Sequence, residues 1–407
     1  MLLPMQRPAN DAELGKILTE AAATRTPIEV VGLGTKRALG RPMQSAVNLS
    51  TRAMRGVTLY EPTELVMSAK AGTPLSMIEK ELAAKRQMLA FEPVDLGPLA
   101  GAEAGQGTIG AVFATNIGGA RRVSAGAPRD HLIGMRAVNG LGEVFKSGGR
   151  VMKNVTGYDL ARGLCGSWGT LAVMTEVTFK VLPMAETSRT MVFLGLPDAI
   201  AAEVMCAAMA TPYEVSGAFH LQTPLVKKLR HTGLNAIGKS LTLLRIENFQ
   251  SSVEYRAQRL TEVLAPYGRA EQLDGEETRL VWEELRQLSF LHASQNPVWR
   301  ISTSPKAGPK VAAAITHYMD CHAAFDWSGG LVWAEVLPTM DAGAADIRRV
   351  VATHGGHATL MRAEPSVRSG VEVFQPLESG VHKLQKRIKT TFDPAGILNP
   401  GRMYADL

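Results

Sequence analysis

Apolar residues in the first seventy positions fall into short runs, which predict one helix followed by several brief strands. A helix is predicted from Asn10 or Asp11, either of which suits an N-cap, to about Ala23. Pro27 then precedes an apolar four-residue run that predicts a strand at residues 28–31. Similar runs predict strands at residues 46–49, 57–60 and 65–71. The first part of the chain should therefore contain small sheets joined by short connections.

Thr73-Pro74 predicts the start of a second helix, since it places a capping hydroxyl before a proline at the first helical position. That helix should run to about Arg86. Residues 97–149 are rich in glycine and include one short apolar run at 108–114. They end in a hairpin signal, with strands at 132–138 and 143–146. A long alternating strand at 171–181 stops at Pro183, where we place a domain boundary.

Beyond residue 185 strands and helices alternate. Strands are predicted at 190–194 and 241–247, and helices follow them at 199–210 and 252–264. This alternation predicts a sheet with helices on one face rather than a second nucleotide-binding domain. The most apolar helix, 199–210, is interrupted by Glu203 and is shorter than the ~20 residues that a membrane span needs.

Composition limits the possible functions. A chain of 407 residues usually forms two or three domains, and 45% apolar with 20% charged residues is typical of a soluble globular protein. The net charge of +6 is dispersed, so it does not indicate a nucleic-acid surface. It suits an anionic cofactor, an acidic substrate or partner, or solubility alone. The three cysteines are far apart and residues 1–10 show no signal-peptide pattern, so we expect a reducing, cytoplasmic setting with no metal or iron–sulfur site.

The first chemical signal is the turn after the strand at 28–31. Glycines at 32 and 34 allow backbone N–H groups to approach a phosphate, and Thr35 and Lys36 add a hydroxyl and a cation. A dinucleotide motif fails here because Arg37 takes the third glycine position and no Asp or Glu lies between Lys36 and Glu61. A P-loop fails because only Thr35 separates Gly34 from the lysine. The turn indicates a phosphate site or a simple turn.

Several further motifs follow this turn in a fixed order. Together they resemble the FAD-binding domain of the vanillyl-alcohol-oxidase type, also called the PCMH type, over about residues 25–183. The closing segment, 392–403, is similar to the tail of 2-hydroxy-acid oxidases in the same superfamily. Segments 151–159 and 355–359 are similar to signatures of the E-type subunits of bacterial glycolate oxidases. The ordered motifs lie at residues 61–65, 69–75, 107–110, 115–121, 126–130, 157–160 and 166–171.

The resemblance implies an α+β fold. It places a two-subdomain FAD-binding domain at residues 1–184, a smaller α+β cap domain of antiparallel sheet and helices at 185–385, and a tail at 386–407 that returns to the first domain. It assigns the pyrophosphate to Gly32, Leu33, Gly34, Thr35 and Lys36. The residues implied around the isoalloxazine and pyrophosphate are Pro93, Thr108, Ile109, Gly110, Ala114, Thr115 and Gly118. Val173 would contact the adenosine, and some of the glycines could instead serve turns only.

Some members of this superfamily attach FAD to a histidine in the glycine turn. Thr35 occupies that position here, so we expect non-covalent FAD. Related oxidases also carry H-x-G-D-G-N-x-H and E-H-G, which bind a metal. This chain has His354 and His357 but lacks the Asp, the Asn and the second histidine, where Met361 stands, and its nearest E-H-G remnant is Glu378-Ser379-Gly380. No metal site is therefore expected.

Two residues remain as candidates for catalysis. Arg300, after Trp299, resembles the element that binds substrate carboxylates in relatives. A structural ion pair is an equally supported role for this arginine. His357 could handle a proton near the flavin, or could have only a surface or packing role.

The resemblance implies an FAD-binding subunit of an oxidase or dehydrogenase for glycolate or a similar short 2-hydroxy acid. Such a subunit would be active in a complex with a paralogous FAD-containing catalytic subunit and an iron–sulfur subunit, which passes electrons towards a quinone. The alternative is a non-catalytic flavin subunit that relays electrons or supports the paralogue. The missing metal ligands favour this alternative or a site that is completed at an interface. The protein would then be cytoplasmic and reach the inner membrane only through its partners. A protein that binds nucleoside triphosphates or NAD is disfavoured by the failed spacings.

Overall fold

A computed structural model describes residues 5–150 and 157–407, so the part of the subunit-E signature at 151–156 lies outside the described residues. The chain forms two compact units. The first unit comprises Met1–Gly118, Gly126–Met184 and Pro376–Leu407, and the second comprises Gly119–Ala125 and Ala185–Gln375. The chain therefore passes from the first unit to the second next to Pro183 and returns before its last helix.

Strands and helices are numbered in chain order. The strands are β1 (Met5–Gln6), β2 (Ile28–Val31), β3 (Val47–Ser50), β4 (Val57–Glu61), β5 (Val66–Lys70), β6 (Gln87–Met88), β7 (Leu132–Asn139), β8 (Val144–Gly148), β9 (Ala172–Lys180), β10 (Leu182–Pro183), β11 (Thr187–Leu194), β12 (Gly217–Leu221), β13 (Leu241–Asn248), β14 (Glu271–Asp274), β15 (Val298–Ser302), β16 (Cys321–Asp326), β17 (Leu331–Val336) and β18 (His357–Arg362). The helices are α1 (Asp11–Thr24), α2 (Leu75–Ala83), α3 (Ile109–Thr115), α4 (Arg122–Ala125), α5 (Pro128–His131), α6 (Leu160–Leu164), α7 (Asp198–Met209), α8 (Thr223–Val226), α9 (Thr232–Asn235), α10 (Gln250–Leu264), α11 (Gly275–Gln287), α12 (Gly308–Thr316), α13 (Ala344–His354), α14 (Pro365–Gly370) and α15 (Ser379–Phe392).

The first unit contains two main sheets. A small parallel sheet has the order β1-β3-β2, and an antiparallel sheet has the order β4-β5-β9-β7-β8. Packing of α2 and α3 against the larger sheet forms one core, which contains Phe91, Phe113 and Phe179. A second core around the parallel sheet contains Leu14 and Leu18 of α1. Removing these side chains from water supplies the main drive for folding each subdomain.

The closing segment of the chain extends the parallel sheet. Leu398 bridges Ile28 of β2, whose N–H donates to the Ile397 carbonyl at 2.8 Å and whose carbonyl accepts from the Asn399 N–H at 3.0 Å. Lys389 of α15 donates to the Thr170 and Leu398 carbonyls and pairs with Asp393 at 2.7 Å. These bonds attach the tail to the first unit.

The second unit is built on an eight-stranded antiparallel sheet, with the order β14-β11-β13-β12-β16-β17-β15-β18. The prediction of helices on one face only is wrong. His220 of β12 bonds Asp198 of α7, whereas Gly217 on the opposite face of the same strand lies against the Trp282 ring of α11. Residues 119–125 belong to this unit, since Trp327 Nε1 donates to the Gly119 carbonyl at 3.0 Å.

Most of the predicted elements are confirmed within one to three residues, including α1 with its Asn10 cap, β2, and the β7–β8 hairpin. The prediction that the Thr73 side chain caps α2 is wrong. The Thr73 hydroxyl donates to the Lys70 carbonyl at 2.6 Å and accepts from the Gly56 N–H at 2.9 Å, so α2 begins after Pro74 without a side-chain cap. It also ends at Ala83, because Arg86 adopts a φ of 53°, which a helix cannot contain.

Within the described ranges, none of the helices combines the length and apolar character that crossing a bilayer requires.

Candidate functional site

A cavity in the first unit lies where β2 runs into its glycine turn. It is closed on other sides by α3, by the start of β9 and by the tail. The lining residues are Val30, Val31, Gly32, Leu33, Gly34, Thr35, Lys36, Arg37, Thr51, Ala71, Thr108, Gly110, Ala111, Ala114, Thr115, Ser167, Trp168, Gly169, Ala172, Val173, Met174, Asn399 and Arg402. Three of these side chains are cationic and none is acidic. Glu29, outside the lining, pairs with Arg37 and lies 3.9 Å from Arg402, so Lys36 is the cation by which the cavity favours an anion.

The glycines of the cavity are required by close approach and by backbone conformation. A Cβ on Gly32 would lie 2.4 Å from the Thr108 hydroxyl oxygen, and one on Gly110 would lie 2.7 Å from the Ala71 carbonyl oxygen. Gly34 has a φ of +86°, which side-chain-bearing residues rarely adopt. The turn can therefore pack against Thr108 only without a side chain at Gly32, and α3 can pack against Ala71 only without one at Gly110.

Lys36 supplies a positive charge that has no ion-pair partner among the described residues. Burial lowers the pKa of its ammonium, and the charge of Asp95 opposes this shift. The Lys36 ammonium forms no ion pair or hydrogen bond with the described residues. A buried ammonium without an anion is unfavourable. The arrangement is therefore complete only when an external anion contacts this side chain.

Hydrogen bonds from residues of the tail hold the glycine turn after β2 in place. The Arg402 guanidinium donates to the Lys36 carbonyl at 2.6 Å and to the Arg37 carbonyl at 3.3 Å. Asn399 accepts from the Val30 N–H at 2.7 Å and donates to the Trp168 carbonyl at 2.7 Å. The Arg402 bonds use carbonyl groups of the turn and none of its N–H groups, which suits phosphate binding.

Ten of the thirteen residues predicted to bind the cofactor line this cavity; they are Gly32, Leu33, Gly34, Thr35, Lys36, Thr108, Gly110, Ala114, Thr115 and Val173. The other three lie elsewhere. Pro93 and Gly118 bridge each other, and Ile109 is fully buried in the core beneath α3. The prediction omitted Trp168, Asn399 and Arg402, although all three lie in motifs that carried the family resemblance.

The residues present fit FAD. A glycine turn, the hydroxyl of Thr35 and the cation of Lys36 suit a diphosphate, and Val30, Val173 and Met174 give an apolar wall for flat rings. The lining includes no histidine or cysteine to which a flavin could be attached.

A separate group of charged and aromatic side chains lies in the second unit. The guanidinium carbons of Arg122 and Arg300 lie 4.3 Å and 5.0 Å from the centroid of one ring, that of Trp327. The Arg300 guanidinium forms no hydrogen bond or ion pair with the described residues, and its Nε is buried without a partner. Burial and the charge of Arg122, opposed by Asp326, lower the pKa of Arg300 to about 10. The structural ion pair considered as an alternative for Arg300 is absent from the described residues.

His357 lies on the same sheet face as Arg300, because it is opposite Ser302, two residues further along β15. Burial, Arg300, Arg122 and Arg348 all lower the pKa of its imidazole. At neutral pH the ring is therefore uncharged and able to accept a proton.

His354 does not join His357. It ends α13, where its Nδ1 contacts the Val350 carbonyl at 3.0 Å, and two glycines separate it from His357 at the start of β18. Among the described residues no group of three or more His, Cys, Asp or Glu side chains could hold a metal.

Comparison with known proteins gives consistent results. A family model described as "FAD binding domain" matches residues 5–148. The chain is 34% identical over 397 residues to "Glycolate oxidase subunit GlcE" of Escherichia coli (strain K12), covering 96% of each chain. It is 25% identical over 424 residues to "Glycolate oxidase subunit GlcD" of Bacillus subtilis (strain 168), covering 98% of this chain and 88% of that one. Among solved structures, p-cresol methylhydroxylase with bound substrate has the same fold, with a TM-score of 0.75 at 15% identity, covering 99% of this chain and 88% of that one.

Proposed function

Because the chain belongs to the family of FAD-linked oxidoreductases that includes the glycolate oxidase subunits, we propose that it is the FAD-binding subunit of a glycolate oxidase or dehydrogenase. The substrate is glycolate or a similar short 2-hydroxy acid. The first unit binds FAD, and the second, the cap domain, provides the substrate-binding side chains. A paralogous FAD-containing subunit and an iron–sulfur subunit complete the enzyme and pass electrons towards a quinone.

The observation that carries this proposal is the pair of arginines on Trp327. Two guanidinium groups on one indole repel each other. The charge of Asp326 offsets part of this repulsion, but Arg300 forms no ion pair among the described residues. A substrate carboxylate would relieve this repulsion and accept two parallel hydrogen bonds from Arg300. The pair therefore suits a small carboxylic acid.

Oxidation of a 2-hydroxy acid also requires removal of the hydroxyl proton. His357 is uncharged at neutral pH, and no described residue forms a hydrogen bond or ion pair with its ring. One of its ring nitrogens can therefore accept the proton while Arg300 holds the carboxylate. FAD, when bound, supplies the two-electron acceptor for the substrate carbon.

One observation favours a second function: among the described residues, no cluster of side chains that could bind a metal lies beside His357. In this alternative the chain binds FAD but only relays electrons or supports the paralogous catalytic subunit.

Anaerobic addition of glycolate to the isolated, FAD-loaded chain distinguishes the two functions. Bleaching of the flavin absorbance is expected if this chain oxidises substrate, and Arg300→Met should abolish bleaching while leaving the flavin content unchanged. Bleaching that occurs only after the paralogous subunit is added would establish the relay function instead.

A further inference from the structure

The last helix of the chain exposes its apolar side chains. Of the fourteen residues of α15, only Lys389 is buried, whereas Val381, Leu384 and Ile388 are 45%, 54% and 37% exposed. Their spacing of three and four residues places them in one stripe along the helix. A helix that buries a lysine and exposes valine, leucine and isoleucine has the pattern of a surface that another molecule covers.

A concave pocket lies beside this stripe. Ile388 lines it together with Cys165, Leu171, Met403, Tyr404 and Leu407. Burial raises the pKa of the Cys165 thiol to about 12, so this thiol is uncharged at neutral pH, and Lys389, which also lines the pocket, is paired with Asp393. A pocket next to an apolar stripe suits an inserted side chain from a protein, whereas a bilayer surface offers no such projection.

The rest of the exposed helix surface is cationic. Lys383, Lys386 and Arg387 are exposed, and α15 contains no acidic residue. Asp406 lies 3.1 Å from His382 and 4.0 Å from Lys386, but Lys383 and Arg387 form no ion pair with the described chain. A second copy of this chain would bring the same charges together. A covering surface should therefore be apolar at its centre and acidic at its rim.

We propose that the α15 face, defined as Val381, Leu384, Ile388 and the adjoining pocket, is the docking site for the paralogous flavin subunit. That subunit presents an apolar side chain to the pocket and carboxylates to Lys383 and Arg387. This inference rests on the proposed function, which supplies the partner. It goes beyond the proposed function because it locates the contact with that partner on the tail, which belongs to the first unit.

The test measures binding of the purified, FAD-loaded chain to the purified paralogous flavin subunit by analytical ultracentrifugation. Leu384→Asp should weaken binding about 30-fold or more, as expected for a central apolar contact. The matched control is Leu337→Asp, because Leu337 is 48% exposed but lies in the second unit. Arg387→Glu should weaken binding and reduce its dependence on salt. Flavin content and circular dichroism of each variant should match the wild type.

The outcomes separate this inference from the function on which it rests. If the wild-type chain does not bind the paralogous subunit, the partner itself is wrong and both proposals fail. If wild type binds and Leu384→Asp binds equally well, only the docking site is wrong. The choice of partner would also be overturned if Leu384→Asp left binding to the flavin subunit intact but abolished binding to another molecule. The two alternatives to measure are the iron–sulfur subunit and vesicles of phosphatidylcholine and phosphatidylglycerol.

Discussion

Replacing Lys36 with methionine should change the stability of the empty protein and its affinity for FAD in opposite directions. Without FAD the ammonium is buried with no ion-pair partner in the described chain, which is why its pKa is lowered. Methionine has a similar length and no charge, so the apo form should be as stable as wild type or more stable. With FAD the ammonium would donate charge-assisted bonds to the diphosphate. Losing a bond of about 1.5–3 kcal/mol should raise the Kd for FAD about 10- to 150-fold.

The assay has two parts. The flavin is removed, thermal unfolding of the apo form is recorded, and FAD is then titrated while flavin fluorescence is followed. Lys85→Met is the matched control, because Lys85 is exposed and lies outside the cavity. Lys36→Arg should retain part of the affinity by keeping the charge. The reasoning is refuted if Lys36→Met binds FAD as tightly as wild type, or if its apo form unfolds at a clearly lower temperature.

Three further variants test other parts of the structure. Arg300→Lys keeps the charge but loses the planar fork, so KM for glycolate should rise about 10-fold; an unchanged KM would remove Arg300 from the carboxylate site. Glu247→Gln removes the partner of Arg121 and Arg245 and should lower the free energy of unfolding by about 3–5 kcal/mol at pH 7, measured with urea; equal midpoints would contradict this. Burial acts to raise the pKa of Glu247, but the two arginines lower it overall. The difference in unfolding free energy between wild type and Glu247→Gln should therefore persist above the unfolded pKa of about 4.3 and shrink as the pH falls through the folded pKa. Asn399→Ala leaves the Val30 N–H without its partner and should destabilise the first unit by about 1–3 kcal/mol and weaken FAD binding; calorimetry that shows no change would exclude a structural role for this bond.

Local features of the fold could be predicted from sequence because neighbouring residues determine them. The glycine turn after β2 follows from a short apolar run and from glycines at 32 and 34, and the β7–β8 hairpin follows from a turn signal between two strands. The cap on α2 could not be predicted in this way. The Thr73 hydroxyl satisfies the Gly56 N–H, which is 17 residues away and competes with the helix terminus for the same oxygen.

Long-range features of the site were not predictable. Asn399 bonds Val30 across 369 positions, and no spacing rule connects an amide in the tail to a strand near the start. Arg122 was not a candidate, since it lies in a glycine-rich segment that resembled part of the flavin domain. Only the fold brings it to Trp327 and Arg300 in the second unit.

Buried cations in this chain fall into two groups, and the difference argues for ligand binding. Lys389 is paired with Asp393, Arg362 lies 3.7 Å from Glu335, and Arg245 lies 3.3 Å from Glu247. These carboxylates offset the loss of hydration that each cation suffers on folding. Lys36 and Arg300 undergo the same desolvation without an ion pair among the described residues, and only the charges of Asp95 and Asp326, which form no ion pair with them, oppose it. The absence of an ion pair for Lys36 and Arg300 among the described residues leaves these two cations for anions from outside the chain, a diphosphate in the first unit and a carboxylate in the second.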